Sequence, residues 1–204
     1  MIKFYGFSLS GHSHRVELML NLLDLPFENI TVDLAAGAQK KPEFLALNPF
    51  GSVPVIEDDG LVIADSNAII TYLAKKYGGE AWLPSDAAMA AEIQGWLSVA
   101  AGKIASGPAA ARLVTVFGAS LDHEAAKATA NGLFAVMDNS LADRPFLIGQ
   151  NVTIADVAGY SYIAHAPEGG VSLDPYPNIR AWLGRIEALD GFVPMPVTKV
   201  GLAA

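Results

Sequence analysis

The chain contains no cysteine, which removes disulfides, thiolate metal sites, iron–sulfur clusters and covalent chemistry through a protein thiol. Basic charge is scarce as well: 13 lysines and arginines stand against 21 acidic residues, a formal net charge of -8. That balance argues against a general affinity for nucleic-acid phosphates or anionic membranes, although a small anion can still bind a local basic pocket. Small molecules or other proteins are the favoured partners. No segment offers the roughly 18 uninterrupted apolar residues of a membrane span, and the chain opens on Ile2-Lys3-Phe4-Tyr5 without a basic region and a long apolar run. The expectation is a cytoplasmic protein. Apolar material is plentiful, with 52% of the 204 residues hydrophobic and 17% charged, enough for a substantial core in one or two domains.

Short apolar runs alternate with helical patterns at the start. Ile2 to Tyr5 reads as a strand, and Val16, Met19, Leu20 and Leu23 repeat at the spacing of one helix face. Asp24-Leu25-Pro26 ends that helix, Glu28 to Val32 is a second strand, and Pro42 opens a helical segment to Leu47. Val53 to Glu57 and Leu61 to Ala64 flank Asp58-Asp59-Gly60, a hairpin signature that makes these strands antiparallel. Ser66 suits an N-cap for the next helix, whose stripe Ile69, Tyr72 and Leu73 stops at Gly78-Gly79. The order is βαβαββα.

From Asp86 alanine dominates and β-branched runs vanish. Leu133, Val136, Met137 and Leu141 mark one helix face, and Ile179, Trp182, Leu183 and Ile186 another. The expected organisation is an α/β domain over 1–77, a linker over 78–85 containing Pro84, and an all-α domain over 86–204.

That architecture fits many activities, so motifs must decide. The first is Tyr5-Gly6-Phe7-Ser8-Leu9-Ser10-Gly11-His12-Ser13-His14-Arg15-Val16, a loop leaving the first strand and entering the first helix. The second is Asn48-Pro49-Phe50-Gly51-Ser52-Val53-Pro54-Val55, and the third Asp65-Ser66 at a helix start. Together, in this order, they resemble the thioredoxin-like domain of the cytosolic glutathione transferases. The helical remainder resembles that family's second domain, so the resemblance covers nearly the whole chain. Thr153-Ile154-Ala155-Asp156 adds a capping-box pattern similar to the family's structural helix-start signature.

The resemblance implies a role for each motif. In serine-type members, notably the plant phi class and its bacterial relatives, a serine five residues before the helix arginine faces the glutathione sulfur, and Ser10 holds that spacing. A hydroxyl donor and the positive end of a helix both favour thiolate over thiol. Ser10 also reads as a plain cap; Ser13 suits a cap better, and Ser8 is the other hydroxyl of the loop. His12 stands where related sequences often carry asparagine; it can contact the sulfur, the glycyl end or only the loop, and an ordinary imidazole there would titrate near neutrality. Tyr5 is an alternative donor whose strand position fits core. At Pro54 the family has a cis peptide bond, which lets Val53 pair with the cysteinyl backbone as an added strand. Ser52 replaces the glutamine or lysine of many relatives with a shorter arm. Asp65 and Ser66 are assigned to the γ-glutamyl ammonium and carboxylate. Lys40, with Gln39 and Lys41 beside it, is assigned to the glycyl carboxylate.

For the acceptor substrate the resemblance nominates Phe7, Leu9, Trp96, Ala100 and Ala101, for which core packing is an equal explanation. It implies a homodimer with Phe50 inserted into the neighbouring subunit. The implied function is that of a transferase in detoxification, with glutathione as co-substrate and no metal, attacking an electrophilic, mainly apolar partner. A glutathione-dependent peroxidase or disulfide-bond reductase is the alternative enzyme, and a non-catalytic binding or interaction protein the alternative class.

Overall fold

The computed structural model describes residues 1–198. Its first part is built on a four-stranded sheet in the order β2-β1-β3-β4. β1 (Ile2–Gly6) and β2 (Phe27–Thr31) are parallel, so they need a crossover, which α1 (Gly11–Leu22) supplies. α2 (Pro42–Leu45) starts on its proline, where a missing N–H costs nothing. β3 (Val55–Asp58) and β4 (Leu61–Ala64) form the antiparallel hairpin, turning through Asp59 at φ 51° and Gly60 at φ 82°. Both residue types tolerate this left-handed region. α3 (Ser66–Leu73) completes the expected βαβαββα order.

The second part is helical: α4 (Ala87–Val99), α5 (Ala110–Phe117), α6 (His123–Ser140), α7 (Ile154–Ala164) and α8 (Pro177–Glu187). Between α4 and α5 the wider turns of a π-helical stretch, Ala100–Ala109, carry Pro108. Proline lacks an N–H and clashes with the preceding turn of an α-helix, so a widened helix accommodates it. The capping box forms as expected: the Thr153 hydroxyl accepts from Ala155 N–H, and the Asp156 carboxylate from Thr153 N–H.

Three local expectations change. The cap of α3 is Asp65, whose carboxylate accepts from the N–H groups of Asn67 and Ala68; Ser66 is the first helical residue. Val136 is 61% exposed, because the buried face of α6 runs through Ala126, Ala130, Leu133, Phe134 and Met137. The strand expected from Val53 enters the ladder only at Val55.

A single apolar cluster reaches from Phe4 in β1 and Met19 in α1 to Phe134 in α6 and Trp182 in α8. The expected 78–85 linker is anchored to it, since Ile154 N–H donates to the Trp82 carbonyl. Residues 199–204 of the expected 86–204 domain lie outside the described residues.

Candidate active site

A cavity of about 730 Å³ opens where β1 hands over to α1. One wall comes from the first part of the chain: Phe7, Leu9, Ser10, His12, Lys40, Ser52 and Val53. The facing wall is helical, with Ala105 and Ala109 from the π-helical stretch, Arg112, Leu113 and Phe117 from α5, and Tyr162 from α7. A wider groove of about 1090 Å³ takes no residue from the β1–α1 turn or from β3.

The turn is held by hydrogen bonds within itself. Ser10 caps α1, its hydroxyl oxygen accepting from Ser13 N–H at 3.3 Å, and its own N–H donates to the Phe7 carbonyl at 2.9 Å. Ser13, the expected cap, is buried and accepts from Phe7 N–H at 3.1 Å. Ser10 therefore lines the cavity at the positive end of a twelve-residue helix.

Behind Ser10 lies a buried guanidinium. Arg15 donates through Nη1 to Ser66 Oγ and Asn67 Oδ1, both at 2.8 Å, and through Nη2 to the Ala158 carbonyl at 2.6 Å. All three acceptors are neutral, and burial lowers the guanidinium to a pKa of about 10. His12 lines the cavity with Nδ1 3.2 Å from Ser66 Oγ. Burial, then the Arg15 charge, lower its pKa to about 4. The titration near neutrality expected of an ordinary imidazole is thus displaced, and His12 is neutral over the physiological range.

Val53 reaches the cavity beside Ser52, and the Val53–Pro54 bond is cis. Since the β1–β3 ladder starts at Val55, the backbone of Val53 is left outside it. Pro54 is buried behind this segment. Ser52 Oγ accepts from Asn48 Nδ2 at 3.2 Å, and Lys40 Nζ donates to the Phe50 carbonyl at 3.3 Å. Asp65 and Ser66 stand off the cavity wall: Asp65 faces a separate cavity beside Asn67 and Ser98, and the Ser66 hydroxyl is engaged by Arg15 and His12. Phe7 and Leu9 line the cavity as nominated, whereas Trp96, Ala100 and Ala101 do not. Ala100 is 1% exposed in the core, and the π-helical stretch and α5 supply the apolar wall instead.

Sequence reasoning missed the whole helical wall, including its two polar residues, Arg112 and Tyr162. Arg112 is 1% exposed; its Nε donates to Glu168 Oε2 at 2.6 Å and its Nη1 to the Leu9 carbonyl at 2.9 Å. Burial alone would raise the Glu168 carboxyl, but Thr198, His165 and Arg112 hold it down at about 2. Tyr162 is 6% exposed, with its ring edge-on to His12 at 5.1 Å. Arginine in an alanine-rich window and tyrosine six residues after a capping-box aspartate both read as ordinary helix residues. The usable signal was Gly11, a glycine at the start of a helix, which leaves room for a ring.

A mixed α/β layer joined to a helical bundle, with a cleft between them at a helix N-terminus, defines the thioredoxin-like two-domain architecture. Residues 9–76 match the model of the glutathione S-transferase N-terminal domain, and residues 113–190 that of the C-terminal domain. Glutathione S-transferase 3 of Zea mays is 35% identical, with 96% of this chain and 96% of that protein covered. Glutathione S-transferase theta-2 of Homo sapiens is 32% identical over 90% of this chain and 79% of that protein. The crystal structure of a glutathione S-transferase from Pseudomonas fluorescens superposes with a TM-score of 0.90 at 33% identity, covering 96% of this chain and 99% of that one. The chain belongs to the glutathione transferase superfamily. It is accordingly a transferase, with glutathione as its co-substrate.

Proposed function

We propose that glutathione lies extended across the cavity with its sulfur at the amino end of α1, where Ser10 stabilises the thiolate. The observation that carries this reading is the charge of the wall. In a chain of net charge -8, the cavity lining among the described residues includes Lys40 and Arg112, the latter paired with Glu168 behind the wall, and no carboxylate. An anionic peptide fits there, and electrostatics favour ionising its thiol. The unpaired backbone of Val53 offers an edge for the cysteinyl unit, and Lys40 can leave the Phe50 carbonyl for the glycyl carboxylate. The γ-glutamyl end would reach beyond the cavity wall towards the start of α3, where the Ser66 N–H and Asp65 are its assigned partners.

The reaction is a displacement or addition at carbon. The thiol proton leaves to solvent and the thiolate sulfur supplies the electron pair of the new carbon–sulfur bond; in a displacement a leaving group departs with the pair of the broken bond, and in an addition that pair stays on the substrate and takes up a proton from water. Phe7, Leu113 and Phe117 make the far side of the cavity apolar, suiting an apolar electrophile. Ultraviolet titration of bound glutathione thiolate tests the assignment. Ser10→Ala is expected to raise the bound thiol pKa by about one unit, the scale of a hydrogen bond to a charged group, and to slow haloarene conjugation near neutral pH. Coincident titration curves would move the donor elsewhere.

The same reading includes a cytoplasmic homodimer. Phe50 is 83% exposed on the loop before β3, and so large an exposed aromatic is suited to insertion into a second copy. Light scattering after size exclusion should find a dimer that Phe50→Glu converts to monomer; a monomeric wild type rules this out.

A further inference from the structure

A hydroxyl from the helical half of the molecule stands at the entrance of α1. The Tyr162 ring packs on Gly11, the first residue of α1. A methyl group at Gly11 would stand 2.7 Å from Cζ of that ring and 2.8 and 2.9 Å from its two Cε atoms, inside contact distance. The backbone of Gly11 is ordinary helix and has no conformational need for glycine, so the missing side chain is explained by the phenol above it. Ser10, His12 and Tyr162 line the same cavity, and the His12 ring stands edge-on to the phenol at 5.1 Å. Among the described residues the phenol has no closed hydrogen bond, although Tyr162 is 6% exposed and lines the cavity. The hydroxyl of this otherwise buried ring is thus open to a ligand in the cavity.

Building on the glutathione reading above, we propose that Tyr162 is a catalytic residue. Its hydroxyl donates a hydrogen bond to the glutathione thiolate beside the one from Ser10, at the start of α1. Burial raises the phenol above its ordinary range, more than Arg15 and Arg112 lower it. The group therefore remains a donor throughout the pH range in which the thiol ionises. Ser10 and Tyr162 form a two-hydroxyl site drawn from both halves of the chain. Loss of either leaves the other in place.

The test compares wild type, Tyr162→Phe, Gly11→Ala and Ser10→Ala by ultraviolet titration of bound glutathione, with glutathione affinity and haloarene turnover measured from pH 6 to 9. Tyr162→Phe keeps the ring and removes only the donor. It is expected to raise the bound thiol pKa by about one unit, with glutathione affinity changed less than about twofold at pH 6 and weakened by up to about tenfold at pH 9, where the bound thiol is ionised. Turnover should fall about tenfold at pH 6 and recover towards pH 9, where the thiol ionises unaided. Gly11→Ala keeps the hydroxyl but displaces it, and should reproduce the same shift with a normal circular-dichroism spectrum. The proposal is overturned if Tyr162→Phe titrates like wild type while Ser10→Ala does not, since the tyrosine would then only pack. A wild type with no affinity for glutathione would sink the underlying assignment as well, a result readily told apart from the first.

Discussion

Two histidines on α1 sit in environments that refuse a proton. His12 is pressed between Tyr162 and Arg15, and His14 lies 1% exposed with Nδ1 2.8 Å from Ser161 Oγ and Nε2 2.9 Å from the Val193 carbonyl. Burial is the main cause in both cases, and each pKa falls from the ordinary 6.5 to about 4. In the unfolded chain the rings bind protons below 6.5, whereas in the folded chain they do so only below about 4. Stability from these groups is complete above pH 6.5 and is lost as pH falls through that window. Urea unfolding at pH 7.5, 6, 5 and 4.5 should give a free energy that declines with a slope approaching two protons, and His12→Asn should remove about one of them. A flat profile across the window would mean that the rings are protonated in the fold. Because His12 stays neutral, the pH dependence of turnover above pH 6 belongs to the glutathione thiol.

At the scale of elements, the start of α7 carries more than its own cap. The Asp156 carboxylate, 0% exposed, accepts from Thr153 N–H, Leu147 N–H and Trp182 Nε1, all at 2.9 Å. It thereby joins α7 to the preceding loop and to α8. Thr153→Ala removes one cap and should cost about 1 kcal/mol. Asp156→Ala takes the acceptor from these three N–H donors and from the Thr153 hydroxyl, and should cost about 3 kcal/mol or more. Denaturant unfolding decides the matter, and equal losses would refute the hub role. This element was legible in the sequence because a capping box is local chemistry, and the stripe of α8 was legible because Ile179, Trp182, Leu183 and Ile186 are large and wholly on one face. Val136 was misassigned because part of the buried stripe of α6 is alanine, which contributes little to an apolar pattern. The caps at Ser10 and Asp65 were each displaced by a few residues or fewer from the sequence reading, the usual precision with which helix ends can be located.

The cleft belongs to the whole molecule, which explains why only half of it could be read. Ser10, His12, Lys40, Ser52 and Val53 are gathered by the short connections of one sheet, whereas Arg112 and Tyr162 arrive by packing across a hundred residues and more of chain. That packing is tight and polar: Arg15 Nη2 on the Ala158 carbonyl, His14 on Ser161, and Arg112 Nη1 on the Leu9 carbonyl each tie one half to the other. An apolar cluster is shared by both halves as well. Domains joined by a small polar interface open independently, whereas a shared core couples them. The two halves should therefore unfold together. Native-state hydrogen exchange should give the protected amides of β1 and β3 the same opening free energy as those of α7, and a 1–77 fragment should not fold alone. Sheet amides that open well before α7 would instead mean a hinged cleft whose width is set by the ligand. A concerted opening means that the folded junction itself fixes the distance from Tyr162 to the end of α1.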